Sequence, residues 1–282
     1  MEHYRGLRLF VTGGSSGIGK AVARLASSWG AHVAIAARGP KRLTAALEEI
    51  RNAASDRDQR FAAFPLDVGD REAVHAIAPR VLESLDGLDL LVNDAGISHP
   101  GHVLEIPDAV FETTLRTNYL GVVQVTRAFL PHFLAQKSGW IANVSSAAGF
   151  VGIYGYTAYS ASKFAVAGFS ECLRQELRPH GIGVTVVFPA DTDTPQLEAE
   201  NLIKPEETRA IAGTIRPGSP EAVARALLAG VAAGRFRVVP GFMNRVTWYA
   251  TRLAPGFVRW ITDRDVDRVR RAVRGPNARG SG

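Results

Sequence analysis

A tyrosine and a lysine four residues apart, Tyr159 and Lys163, have the types and the spacing of a proton-transfer pair. A helix through this segment would place both side chains on one face. A tyrosine phenol has an unperturbed pKa of about 10, and a nearby ammonium group favours the phenolate and lowers that pKa. We therefore expect the pair to donate and regain a proton near neutral pH.

Two more polar residues could act beside this pair. Ser146 follows residues 140–144, an apolar run that predicts a strand, and its hydroxyl could hydrogen-bond the carbonyl of a substrate. Asn118 falls inside a predicted helix, where its amide would be useful if it held a water molecule or a backbone group.

A glycine-rich stretch, "TGGSSGIG" at residues 12–19, lies between a predicted strand at 7–11 and a predicted helix at 17–29. Glycines let the backbone turn tightly and approach a pyrophosphate, while the helix N-terminus offers free N–H groups and positive dipole. The turn therefore predicts a dinucleotide site. Its expected cofactor-contacting residues are Gly13, Ser15, Ser16, Gly17, Ile18 and Gly19.

The end of the second predicted strand indicates which dinucleotide binds. An acid at this point would bind the ribose 2′-hydroxyl of NAD, but Ala37 stands there and Arg38 follows. A guanidinium suits a 2′-phosphate, so we expect NADP(H) as the cofactor.

The third and fourth predicted strands also end in residues suited to the cofactor. In an open parallel sheet ligands bind at the carboxyl ends of the strands. Asp67 and Val68 follow the third strand, and Asp67 could accept a hydrogen bond from an adenine amino group. Asn93, Ala95 and Gly96 follow the fourth, and the last two are small enough for a cofactor to lie against them. Each residue could instead serve only its turn.

Apolar strands alternate with helical patterns along the chain, which predicts an α/β fold with one Rossmann-type doubly wound parallel sheet. The predicted strands are at 7–11, 32–37, 62–66, 88–92, 140–144, 184–188 and 236–239. Apolar residues recur with helical spacing over 164–178, among them Cys172, which we expect to be a small core residue. A single cysteine excludes a disulfide framework, and the histidines show no metal-binding motif.

The net charge of +6 is unevenly distributed. Residues 240–282 contain nine Arg and three Asp, and the other 239 residues contain 24 basic and 24 acidic side chains. A nucleic-acid-binding domain would spread its basic residues over a face of the fold, so we expect no nucleic acid partner. We predict a catalytic domain at 1–240 and a basic amphipathic segment at 241–282, with a disordered end at 275–282.

The C-terminal segment mixes aromatic and basic residues over 242–261. Arg245, Arg252 and Arg259 recur every seven residues, and Pro255-Gly256 should divide the helix into two. No run of 18 apolar residues occurs, so no membrane span is expected. Such a segment suits the interface of an anionic bilayer, although its aromatic residues could instead pack on the domain or on a partner subunit.

The motifs together resemble the short-chain dehydrogenase/reductase family over nearly all of residues 5–240. The glycine-rich turn, "NDAG" at 93–96, the helix asparagine and the Ser…Tyr-x-x-x-Lys set occur in family order. Asp94 departs from the commoner Asn or Cys, at a variable position. The resemblance implies hydride transfer between NADP(H) and a carbonyl or alcohol, and a homodimer or homotetramer.

The resemblance also assigns roles to the four polar residues. Tyr159 protonates the developing alkoxide, and Lys163 holds the nicotinamide ribose and tunes Tyr159. Ser146, rather than Ser145, has the family's spacing of thirteen residues from Tyr159 and orients the carbonyl. Asn118 anchors the water of a proton relay.

Within this family, three stretches resemble the members that reduce 3-oxosphinganine. They are "GIYGYTAYSASKFA", "VTVVFPADTDTP" and "EAENLIKPEETRAIAG". This implies NADPH-dependent reduction of a long-chain sphingoid-base ketone to sphinganine, by a protein located in the cytoplasm and peripheral at the cytoplasmic face of a membrane. The alternatives are reduction of another lipid, steroid or polyol carbonyl, or a scaffold that binds NADP(H) without catalysis.

The stretch "FPADTDTP" at 188–195 combines both kinds of contact. By family resemblance, Pro189 begins the turn over the nicotinamide, and Thr192 and Thr194 bind its carboxamide. Asp191 and Asp193 have two interpretations. One of them could pair with the substrate amine, or cap the helix that follows.

Overall fold

Seven parallel strands form the centre of the described molecule. The computed structural model describes residues 2–212 and 216–274 of the chain. The predicted strands all form, with ends shifted by up to two residues. They are β1 (Arg8–Thr12), β2 (His32–Ala37), β3 (Phe61–Pro65), β4 (Leu90–Asn93), β5 (Gly139–Val144), β6 (Ile182–Val187) and β7 (Arg237–Val238).

The strands pair in the order β3-β2-β1-β4-β5-β6-β7. The direction of winding therefore reverses between β1 and β4, which creates a crevice at the carboxyl edge of the sheet. The register brings the strand ends together there, since Thr12 pairs with Asn93 and Asn93 pairs with Asn143. This edge positions the sequence-predicted site.

Helices connect the strands and cover the sheet. They are α1 (Gly17–Ser28), α2 (Pro40–Asn52), α3 (Arg71–Leu85), α4 (Asp108–Leu115), α5 (Gly121–Gln136), α6 (Thr157–Leu177), α7 (Pro195–Ile203), α8 (Glu206–Ala212), α9 (Pro220–Ala232), α10 (Phe242–Leu253) and α11 (Pro255–Arg274). A π-helical turn, Arg116–Leu120, joins α4 to α5, and short 3₁₀ turns cover Glu2–Tyr4, Ala147–Gly149 and Arg178–His180.

The core has one layer on each face of the sheet, because successive strand residues point to opposite sides. Leu9 and Val11 of β1 pack with α1, α2 and α9, whereas Phe10 between them packs with α3, α5 and α6. This arrangement confirms the predicted Rossmann-type doubly wound sheet, with helices on both faces.

The prediction that Cys172 of α6 is a core residue was wrong. Cys172 is exposed, and so is Phe164, whereas Leu173 and Leu177 of the same apolar pattern are buried beside Lys163, Val166 and Ser170. Periodicity identifies a helical stripe but does not say which stripe meets the core. Here polar residues face inward because they serve the site and the buried network beneath it.

The C-terminal segment forms two helices. The helical structure is interrupted between Leu253 and Pro255, where the proline and glycine predicted an interruption. Trp248 of α10 packs on Phe150 and Phe188, with ring centroids 5.0 and 4.9 Å away. Asn244 donates from its side chain to the carbonyl of Phe188. The predicted frayed end at 275–282 lies outside the described residues.

Candidate active site

The glycine-rich turn lies between β1 and α1, against the end of β2. The amides of Gly13 and Gly14 both donate to the carbonyl of Ala36, at 2.8 and 3.2 Å. A Cβ atom on Gly13 would lie 2.8 Å from the amide nitrogen of Ala95, and one on Gly19 would lie 2.7 Å from the carbonyl of Gly13. Only glycine fits this packing, and it leaves the backbone open to a ligand at the start of α1.

The surroundings of the turn fit a dinucleotide. Ser15, Ser16, Gly17 and Ile18 are half-buried, and Ser16 precedes α1 without its hydroxyl capping the helix. Arg38 is exposed, two residues beyond the Ala36 carbonyl that binds the turn. NADP(H) requires two positive partners. The start of α1 suits its pyrophosphate, and the Arg38 guanidinium suits its 2′-phosphate.

The predicted residues after β3 and β4 divide into two groups. Asp67 is exposed, and its carboxylate accepts from the amide of Gly69, which is the bond expected of a turn residue. Val68 is buried against Gly121. Ala95 and Gly96 lie at the crevice, and a Cβ on Gly96 would lie 3.5 Å from the Lys163 ammonium.

The side chain of Asn93 lies in a buried polar network rather than at the surface of the crevice. Its amide nitrogen donates to Asn143 at 2.9 Å and to Thr126 at 3.2 Å. Asn143 in turn donates to Ser170 of α6 at 2.9 Å. These bonds join β4, β5, α5 and α6 directly beneath the site, so they fix the positions of the elements that carry it.

Tyr159 and Ser146 lie together at the carboxyl edge. Ser146 ends the loop after β5, where its hydroxyl accepts from the amide of Ala148 and lies within hydrogen-bonding reach of Tyr159. The amide of Ala147 donates to the carbonyl of Pro189 at 2.7 Å, which ties this loop to the turn after β6. A substrate carbonyl between the two hydroxyl groups would meet both.

Lys163 is buried on the same face of α6 as Tyr159. Its ammonium donates to the carbonyl of Val144 at 2.9 Å and lies 5.6 Å from the centre of the Tyr159 ring. Burial lowers the pKa of Lys163 to about 8, and the neighbouring carboxylate of Asp94 opposes that shift. Lys163 therefore loses its proton more readily than an exposed lysine.

Asp94 matters more to the site than its variable position in the motif suggested. Burial raises the pKa of its carboxyl to about 7, while the charge of Lys163 and a hydrogen bond from the amide of Gly19 oppose the shift. The carboxyl thus connects the glycine-rich turn to the lysine. An acid directly after an apolar strand was the signal that could have identified it.

Asn118 lies in the π-helical turn between α4 and α5, a kind of irregularity that is frequent at functional sites. Its side chain accepts from the amide of Ile97 and donates to the carbonyl of the same residue, both at 2.8 Å. It also donates to Ser162, which donates to the carbonyl of Tyr159. Asn118 therefore holds a backbone group, one of its two predicted uses.

The turn after β6 reaches the glycine-rich turn. A Cβ on Gly17 would lie 3.0 Å from the Thr194 methyl group, so this threonine lies directly beside the predicted cofactor site. Thr194 is also the N-cap of α7, accepting from the amide of Leu197. The helix-cap interpretation of Asp191 and Asp193 was therefore wrong. Thr192 is buried, and its hydroxyl donates to the carbonyl of Ala190.

The pKa of Tyr159 is raised, not lowered as expected. Burial raises the pKa, and the negative charge of Glu200 adds to the increase, ahead of Asp191 and Asp94. Only the hydrogen bond with Ser146 lowers it. Burial is the largest cause, and the Lys163 ammonium, which donates to the carbonyl of Val144, does not offset it.

Glu200 is the charged neighbour that the sequence analysis missed. It lies on α7, and its carboxylate accepts a 2.7 Å hydrogen bond from the Tyr156 hydroxyl. The Tyr156 and Tyr159 rings are 5.9 Å apart. Because 44 residues separate Tyr156 from Glu200, no local pattern could have predicted the contact.

The histidine, cysteine, aspartate and glutamate side chains within 2–212 and 216–274 form no group of three that could hold a metal ion.

Known proteins share both the sequence and the fold. The model of the short chain dehydrogenase family matches residues 8–203. The chain is 40% identical to 3-dehydrosphinganine reductase of Danio rerio and 39% identical to 3-ketodihydrosphingosine reductase of Bos taurus. Each match covers 82% of this chain and 70% of the relative.

Two crystal structures of short chain dehydrogenases superpose on most of the chain. One, from Burkholderia phymatum in complex with NAD, has a TM-score of 0.79 at 25% identity and covers 92% of this chain and 96% of its own. The other, from Burkholderia cenocepacia J2315 in complex with NADP, has a TM-score of 0.74 at 25% identity and covers 92% and 98%. The chain belongs to the short chain dehydrogenase family, because the family model and the relatives match most of it and its motif residues lie at one edge of the sheet.

Proposed function

We propose that the protein reduces 3-oxosphinganine to sphinganine with NADPH, a step of sphingolipid biosynthesis. The observation that carries the proposal is 39–40% identity over 82% of the chain to reductases named for this ketone. The assembled site supports it, because a pure binding protein needs no phenol, hydroxyl and ammonium group around one carbonyl position. Arg38 and the absence of an acid at Ala37 support NADPH over NADH.

The chain's residues perform the acid–base part of the reaction. NADPH, when bound against Gly13, Gly19 and Thr194, supplies the hydride. The hydroxyl groups of Ser146 and Tyr159 hold the substrate oxygen, and Tyr159 gives its proton to that oxygen as negative charge develops. The buried Lys163 ammonium supplies positive charge beside the phenol. Asn118 fixes the backbone of this region through Ile97 and Ser162.

The test is a substrate panel. NADPH oxidation is measured with 3-oxosphinganine and with steroid, polyol and simple long-chain ketones, and NADH is compared as the hydride donor. We expect kcat/KM to be highest for 3-oxosphinganine and at least about tenfold higher with NADPH than with NADH, the worth of one charge-assisted phosphate contact. A faster reaction with another carbonyl class would replace the proposed substrate.

We propose that α10 and the start of α11 contact an anionic membrane from its cytoplasmic side. Phe242, Val246, Tyr249 and Leu253 share one face of α10 and are all exposed, and Phe257 follows on α11. None of the helices within the described ranges has the length and apolar composition to cross a bilayer. α11 also packs on α8, so the proposed membrane surface adjoins the helices that follow the turn after β6. A lipid ketone could then enter from the bilayer.

The membrane proposal predicts the behaviour of a surface variant. We expect Phe242, Tyr249 and Leu253 replaced together by Ser to lower affinity for anionic vesicles at least about tenfold, because three exposed apolar side chains no longer enter the interface. Co-sedimentation with vesicles measures this. Trp248 is retained because it is only 7% exposed and anchors α10 to the domain.

The control is Leu104→Ser, which removes a leucine that is 97% exposed and lies far along the chain from α10. Deletion of residues 242–282 is a poorer test, because it also uncovers Phe150 and Phe188. Unchanged vesicle binding by the triple variant would refute the membrane proposal and favour packing against a partner subunit.

A homodimer or homotetramer is also proposed. Exposed apolar side chains lie on the helices around the site, namely Leu115, Leu120, Leu134 and Phe164. Burial of such side chains between subunits is a common reason for their exposure in a single chain. Sedimentation equilibrium of the purified protein distinguishes these states from a monomer.

A further inference from the structure

Glu200 is a buried carboxylate on the helix that follows the cofactor turn. Only 7% of the residue is exposed. One oxygen accepts from the Tyr156 hydroxyl at 2.7 Å and the other from the side-chain amide of Gln196 at 3.0 Å. Both donors are neutral, so they satisfy hydrogen bonds without balancing the charge.

No cation of the described chain pairs with this carboxylate. Lys204 is a cation near Tyr156, but its ammonium donates to Asn201 at 2.8 Å and lies 5.9 Å from the Tyr156 ring centre. None of the ion pairs formed within 2–212 and 216–274 includes Glu200. A buried carboxylate without a cation is unfavourable, which suggests that a cation arrives from outside.

Two contacts connect Glu200 to the place where the carbonyl would react. The reacting carbonyl lies at Tyr159 and Ser146, and in the proposed substrate the amine is on the adjacent carbon. Tyr156 connects this point to Glu200, since its ring lies 5.9 Å from that of Tyr159 and its hydroxyl binds the carboxylate. The charge of Glu200 also acts on Tyr159, whose pKa it raises.

The two acids suggested by the sequence are less suitable. Asp191 and Asp193 are exposed, and their backbones are fixed by hydrogen bonds to Gly218 at 2.8 and 2.9 Å. An ion pair exposed to water contributes little to binding. The buried carboxylate of Glu200 would pair more strongly with a cation, because less solvent screens it.

We propose that Glu200, oriented by Tyr156, binds the ammonium group next to the reacting carbonyl and so selects 2-amino ketones. This inference rests on the proposed function and identifies the residue that reads the substrate's head group. An amine beside a carbonyl resembles a chain α-amino group, with a pKa of about 8, and is therefore largely cationic at pH 7. The bound cation also offsets the carboxylate charge that faces Tyr159, so recognition favours proton donation.

The experiment compares two ketones and four variants in one detergent. The ketones are 3-oxosphinganine and its analogue without the 2-amino group. The variants are Glu200→Gln, Glu200→Asp, Tyr156→Phe and, as a matched control, Asp191→Asn. We expect Glu200→Gln to lower kcat/KM for the amino ketone by about 10–100-fold and to change that for the analogue less than about threefold.

The remaining variants separate recognition from structure. Glu200→Asp should keep part of the preference for the amino ketone, and Asp191→Asn should keep all of it. Tyr156→Phe should reduce the preference, because the carboxylate loses one of its two donors. Equal losses for both ketones in Glu200→Gln would mean that Glu200 only supports the fold, and would overturn the inference.

Failure of the inference and failure of the proposed function give different results. If the wild-type protein reduces both ketones equally well, the ketone reductase assignment stands and amine recognition is wrong. If Asp191→Asn rather than Glu200→Gln removes the preference, the amine binds the exposed acid instead. If the wild-type protein reduces neither ketone, the proposed function fails and the inference falls with it.

Discussion

Tyr159→Phe should reduce kcat/KM for the ketone by about a thousandfold or more while leaving NADPH affinity nearly unchanged. The variant keeps the aromatic ring and its contacts with Tyr156 and Lys163, and removes only the hydroxyl. Without this hydroxyl group, the oxygen of the reduced substrate receives no proton from the protein. Steady-state kinetics and fluorescence titration with NADPH measure the two quantities separately.

Tyr156→Phe is the matched control for this prediction. It removes a phenol three residues earlier, whose hydroxyl binds Glu200 rather than the site of the carbonyl. Its loss with the amine-free ketone should be small. A Tyr159→Phe protein with more than about a tenth of wild-type turnover would show that another group supplies the proton, and would contradict the assigned chemistry.

Lys163→Met should lower kcat/KM by about 10²–10³-fold, the usual consequence of removing one electrostatic contact from an active site. The variant loses the hydrogen bond from the ammonium to the Val144 carbonyl. It also removes the positive charge that interacts with the carboxyl of Asp94. We expect weaker NADPH binding as well, because the family role of this lysine is to hold the ribose. Unchanged kinetics would exclude Lys163 from the site.

The pH dependence tests the same pair of residues. Activity that requires a charged Lys163 is present below its pKa of about 8 and is lost as pH rises through that value. The carboxylate of Asp94 raises the lysine pKa, so Asp94→Asn should move the alkaline limb of kcat/KM to lower pH. A limb that stays in place or moves to higher pH would refute the coupling between these residues.

The fold was predictable because its signals are local. Apolar strands, of which β1 to β6 have four to six residues each, alternate with helices, and a fully buried parallel sheet requires that composition. The glycine-rich turn was also predictable from local sequence. Gly13 and Gly19 occupy positions where a Cβ atom would collide with the backbone, so the turn requires glycine there. Tyr159 and Lys163 followed from helical spacing alone.

Predictions failed where a residue's surroundings come from distant parts of the chain. Cys172 has the spacing of a core residue but is exposed, because the stripe beside it faces the sheet. The cap of α7 is Thr194 rather than an aspartate, since the helix begins one residue later than that interpretation required. The Tyr159 pKa is raised mainly because packing buries the phenol, and secondly because the charge of Glu200, on α7, acts on it.

The sequence by itself determined the sheet, the glycine-rich turn, the candidate catalytic residues and the resemblance to one family. Each depends on short-range periodicity, turn chemistry or a motif within a few residues. Only the tertiary structure decided that Glu200 meets Tyr156, that Asp94 lies near Lys163 and that Trp248 anchors α10. The reason is physical: charge, burial and desolvation depend on which segments pack together, and that packing joins residues separated by dozens of positions.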